Sequence, residues 1–136
     1  MLNVVVVDAQ GGGMGASIVK SLTDRYGGRI NIIAVGTNGI ASAAMKKGGA
    51  SCCATGENAV CFNVRSADVI MGGIGIIASC GMMGEITPAM ARAIAESPAQ
   101  KILIPVSKCN IMIPGVISAG AKELIEMAAD ALADFL

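Results

Sequence analysis

The chain has no histidine and no tryptophan, one tyrosine and two phenylalanines, and charged residues make up only 15% of it. Each shortage excludes something. Without His there is no imidazole acid–base chemistry and no His-ligated metal. Lys plus Arg and Asp plus Glu number ten each, so neither sign is in excess. A nucleic-acid binder carries a basic patch or stripe, whereas only Lys46-Lys47 forms even a basic pair here. Long apolar runs are also missing. Val69–Gly84 holds 16 uncharged residues, but five are Gly, and a bilayer span needs about 20 apolar residues rich in helix formers. The start, MLNVVVVDAQ, lacks the basic residues and longer apolar stretch of a secretion signal. The five cysteines, Cys52, Cys53, Cys61, Cys80 and Cys109, contain no C-x-x-C spacing, so neither a disulfide framework nor a zinc knuckle is indicated. They are expected to be small buried hydrophobes in a reducing cytoplasm, with Cys80 and Cys109 the candidates for a reactive thiol because each adjoins a loop. No metal site, membrane span or nucleic-acid surface is expected.

What is present is an apolar, glycine-rich chain. Of 136 residues, 54% are hydrophobic, 18 are Gly and 9 are Met. The length suits a single domain over residues 1–136 with a proper core. Residues 2–8, LNVVVVD, form a continuous β-branched run, the pattern of a strand buried on both faces of a parallel sheet. A helix is expected from the glycines that follow to about Tyr26, with Gly15, Ile18, Val19, Leu22 and Tyr26 on one face. Further strands are read at 30–35, 50–55, 68–71 and 101–106, with a short sixth at 110–114. Helices are read at 40–47, at 57–65, from Thr87-Pro88 to about Glu96, and at 118–135. Residues 74–86, rich in Gly and Met, give no clear periodicity beyond a short helix near 75–80. Pro105 points to an edge strand or to a strand terminus. This alternation implies an α/β, three-layer Rossmann-like fold: a mostly parallel sheet of about five or six strands with helices on both faces.

The strongest chemical signal is VVVVDAQGGGMGAS. Gly11, Gly13 and Ala16 match G-x-G-x-x-G/A in its required setting, after a buried strand and opening a helix. In that pattern Gly11 provides the turn, Gly13 admits an anion close to the backbone, and Ala16 lets helix approach strand. Unpaired N–H groups and the helix dipole then favour a phosphate. Gln10, Gly11, Gly12, Gly13, Met14 and Gly15 are therefore candidate binding residues, joined by Thr37 and Asn38 after the second strand and Gly72 and Gly73 after the fourth. NAD(P) and other nucleotides are the cofactors this chemistry admits. The NAD pattern is incomplete, because the second strand ends in Val35-Gly36-Thr37-Asn38, with no acid for the ribose hydroxyls. The P-loop pattern fails too: its Lys falls on Ala16 and its first glycine on Gln10.

With no His, acid–base work falls to carboxylates or Lys, and the catalytic candidates are Asp8, Glu57 and Lys108, with Glu85 behind them. Each also reads as an ordinary cap or turn residue. Three functions follow. The first is binding of a nucleotide or phosphorylated small molecule, with or without catalysis. The second is a homo-oligomeric structural subunit in which the glycine loop is only a tight turn and the scarcity of charge reflects a buried interface. The third is an NAD(P)-dependent oxidoreductase domain.

The blocks VVDAQGGGMG, IIAVGTNGIASAAM, ATGENAV, GEITPAMARAI and KILIPVSKCNI together resemble a small bacterial family known only as a domain of unknown function. The resemblance covers nearly the whole chain. It implies a bacterial cytoplasmic protein and brings no activity, cofactor or catalytic residue with it.

Overall fold

The computed structural model describes residues 1–106, 110–116 and 119–136. Among these residues five strands and five α-helices alternate. They are β1 (Leu2–Asp8), α1 (Gly13–Tyr26), β2 (Ile30–Gly36), α2 (Gly39–Lys47), β3 (Cys52–Thr55), α3 (Glu57–Asn63), β4 (Val69–Gly73), α4 (Pro88–Glu96), β5 (Gln100–Ile104) and α5 (Ala121–Leu132). The sheet order is β3-β2-β1-β4-β5, and every pairing is parallel. β1 is central, so its valines are covered on both sides, which is why the run does not alternate with polar residues.

The two faces of β1 divide the core. Val4 and Val6 join Ile18, Val19, Leu22, Met45, Ile125 and Leu132, the inward residues of α1, α2 and α5. Val5 and Val7 join Val60, Val64, Met90 and Ile94 from α3, α4 and the turn after α3. This is a three-layer α/β architecture. α5 is tied to α1 by Tyr26, whose hydroxyl donates to the Ala129 carbonyl at 2.6 Å, and by ion pairs from Arg25 to Glu126 and Asp130.

Local signals explain most boundaries. Thr87 caps α4 by accepting from Met90 N–H at 3.1 Å, with Pro88 in the first turn. Asn38 caps α2 through Ala41 N–H at 2.9 Å. Residues 57–63 are helical rather than extended because Val60 and Val64, four apart, share the core face while Phe62 points out.

Three expectations are corrected. The described residues of 110–114 form no strand. Asn110 adopts a left-handed φ of 58°, Gly115 follows at 90°, and Pro114 lacks a donor, so the sheet ends at β5, just before Pro105. The run 74–86 contains only a short 3-10 turn at Ile74–Ile77. The cysteines are not buried: Cys52, Cys53 and Cys80 are exposed and Cys61 is half-buried, all as free thiols. The first two lie on β3, a four-residue edge strand that is exposed at three of its four positions. Cys109 lies outside the described residues. Among the described residues no helix is long and apolar enough to cross a membrane.

Candidate functional site

The glycine loop leaves β1 at the carboxyl edge of the sheet. Its geometry assigns the glycines differently from the simple motif. Gln10 and Gly12 carry the left-handed turn, at φ 54° and 73°. Gly12 is buried, and a Cβ there would lie 2.7 Å from the Ala41 Cα. Gly15, not Ala16, is the close-packing position, since a Cβ on it would meet Met45 Sδ at 2.6 Å and Asp8 Cβ at 2.8 Å. Gly11 and Gly13 are exposed, and a Cβ at either would meet nothing within 4 Å. These two leave the backbone open to whatever approaches the loop.

Asp8 is the buried anchor of this turn. Its Oδ1 accepts from Ala9 N–H at 2.8 Å, and its Oδ2 accepts from Gly15 N–H at 2.7 Å. One free donor of the α1 N-terminus is thus held inside the protein. The amides of Gly11, Gly13 and Met14 have no acceptor among the described residues. Asp8, Gln10, Gly11, Gly12, Gly13 and Met14 all line a cleft of about 170 Å³, closed on its far side by Met82 and Val106.

The loop 78–86 is the element whose position the sequence did not reveal. It crosses from the end of β4 to β2 and delivers Glu85 to the glycine loop. Glu85 Oε1 accepts from Gln10 N–H at 2.9 Å, Thr37 Oγ1 at 2.7 Å and Asn38 Nδ2 at 2.8 Å. These donors, the Thr37 hydroxyl first and then the Gln10 amide and Asn38, hold the carboxyl below its ordinary range against a small opposing effect of burial. Asn38 Nδ2 also donates to the Gln10 carbonyl at 3.0 Å. The acid missing after the second strand is therefore present in space, supplied from beyond the fourth. Its sequence signal was faint: Glu85 is the only acid in a Gly- and Met-rich run following a strand.

The same loop is strained. The non-glycine residues with left-handed φ among the described residues are Gln10, Cys80, Met82, Met83 and Asn110. All five line one cleft of about 480 Å³, together with Ala78, Ser79 and Gly81. Each such residue costs about 1–3 kcal/mol, and such strain concentrates where proteins bind or react. This cleft adjoins the smaller one through Gln10 and Met82.

The remaining candidates fall elsewhere. Gly72 packs against the Val7 carbonyl, where a Cβ would come within 2.7 Å, and a Cβ on Gly73 would lie 3.2 Å from Met14 Sδ, so both sit tightly packed behind the loop. Glu57 is exposed at the start of α3, beyond the edge strand β3, and does not line either cleft. Lys108 lies outside the described residues. No group of three potential metal ligands occurs among the described residues.

No curated protein and no solved structure matches this chain. Over residues 3–136 it matches the family model described as Domain of unknown function (DUF3842), and the chain belongs to that family.

Proposed function

We propose that the protein binds a nucleotide or another phosphate-containing small molecule at the glycine loop. The observation that carries this reading is the set of three amides, Gly11, Gly13 and Met14, that have no acceptor among the described residues and belong to residues lining one cleft at the carboxyl edge of the sheet. N–H groups at the start of a helix bind anions without any positive side chain. In open parallel sheets ligands settle at that edge, where the strand order reverses, here between β1 and β4. Asp8 acts in this reading as a positioning residue, with an oxygen on each of Ala9 and Gly15. The four free thiols among the described residues fit a cytoplasmic setting.

The test is a thermal-shift screen with NAD⁺, NADP⁺, ATP, AMP and sugar phosphates. At least one is expected to stabilise the protein, and Gly13→Asp is expected to abolish the effect. The variant is suited to this because a side chain at Gly13 has open space and an acid there favours the helix. Stabilisation by none, or stabilisation unchanged in the variant, contradicts the reading.

A second reading concerns assembly. Ile40 and Phe62 are 73% and 64% exposed, and β3 presents an unpaired edge. Exposed apolar side chains beside an open edge favour self-association. Light scattering is expected to show a homo-oligomer; a strict monomer at high concentration contradicts it.

A further inference from the structure

The nucleotide pattern of a parallel α/β sheet requires a carboxylate at the end of the second strand to accept from the ribose hydroxyls. Residues 35–38 contain none. The fold supplies Glu85 there instead. Its Oε1 is fully engaged by Gln10 N–H, Thr37 Oγ1 and Asn38 Nδ2, which fixes the carboxylate in place. Its Oε2 takes no hydrogen bond among the described residues, and Glu85 is only partly buried. The carboxylate thus has one oxygen clamped and one available. The clamp includes the backbone of the glycine loop itself, so the open oxygen and the phosphate-binding amides are held in fixed relation. Ile40, two residues after Asn38 in the chain, is 73% exposed and offers an apolar side chain to a flat base.

We propose that Glu85 Oε2 accepts from a free ribose hydroxyl, so that the ligand is a ribonucleotide carrying no 2′-phosphate. This rests on the glycine-loop reading above and narrows it. A 2′-phosphate would set a second anion against the carboxylate, and no Arg or Lys adjoins it in residues 35–45 to offset the repulsion. A 2′-deoxy sugar would leave the open oxygen without its donor.

The experiment is titration calorimetry of the wild type, Glu85→Gln and Gly13→Asp with NAD⁺, NADP⁺, AMP, GMP, CMP, UMP and 2′-deoxy-AMP. The Gln variant keeps an oxygen for the three internal donors, and thermal melting verifies that it folds. Wild type is expected to bind NAD⁺ or a ribonucleotide at least ~10-fold more tightly than its 2′-phosphorylated or 2′-deoxy counterpart, the range of a hydrogen bond to a charged group. In Glu85→Gln that preference is expected to fall to about threefold or less. Equal wild-type affinity for NAD⁺ and NADP⁺ overturns the proposal. So does binding that is unchanged or tighter in Glu85→Gln, the latter showing that the carboxylate competes with an anionic ligand for the Thr37 and Asn38 donors. In either case loss of binding in Gly13→Asp leaves the glycine-loop reading standing. If none of the ribonucleotides binds the wild type, this proposal fails, whereas stabilisation by a sugar phosphate that Gly13→Asp abolishes keeps the glycine-loop reading standing.

Discussion

Thr37 Oγ1 donates to Glu85 Oε1 across 2.7 Å, joining the turn after β2 to the loop after β4 over the tip of β1. Residues 48 positions apart thereby meet at the edge where the glycine loop opens. The bond orders the site from both sides, and its ionic state governs how firmly the loop 78–86 is held.

Acid should loosen this contact. The folded-state pKa of Glu85 is lowered, so its stabilising contribution is fully present above the ordinary carboxylate range and is lost as pH falls through the folded value. Melting temperature followed from neutral pH to below pH ~4 should therefore fall less steeply for Glu85→Gln than for the wild type. Glu126 is lowered as well, by Arg25 and then Ser21, and contributes to both curves alike. Parallel curves would contradict the assignment.

Asp8→Asn should cost about 1–3 kcal/mol in denaturant unfolding. The carboxylate accepts two backbone N–H groups, whereas an amide sets an NH2 against one of them. A change within ~0.5 kcal/mol would show that Asp8 does not anchor the turn.

Gly12→Ala and Gly13→Ala should differ sharply. At Gly12 the left-handed φ and the Ala41 backbone both oppose a methyl group, and a loss of at least ~1–2 kcal/mol is expected. At Gly13, in the first turn of α1, the methyl has open space, and reduced freedom of the unfolded chain should stabilise by about 0.4–1 kcal/mol. Equal effects in urea titrations would contradict the division of roles within the loop.

How much of this was legible in the sequence follows from what each signal is. The valines of β1 and the glycines after it are local, and they placed the central strand, the turn and the start of α1. Thr87-Pro88 marked α4 for the same reason. The exposed thiols were not legible, because whether Cys52 and Cys53 are covered depends on β3 being the edge of the sheet, a matter of strand order. The role of Gly15 was hidden because it depends on Met45, a contact made across two helices. Glu85 was hidden most completely: a carboxylate that completes a site from another loop leaves no spacing to read.

The thiols offer a simple check of that edge. Native-state titration with a chromogenic disulfide should label Cys52, Cys53 and Cys80 rapidly and Cys61 more slowly, since its thiol is half-buried and lies 3.6 Å from the Ala89 carbonyl. Protection of Cys52 and Cys53 at high protein concentration, relieved on dilution, would locate self-association at β3.

In the proposed complex the glycine-loop amides hold an anionic group. Amide NMR during titration with AMP or NAD⁺ tests it most directly. The Gly11, Gly13 and Met14 amide protons should move downfield together as they gain an acceptor, while Gly15, already bonded to Asp8, moves little. Saturation of the protein with these three signals unmoved, or no binding at all, would contradict the account.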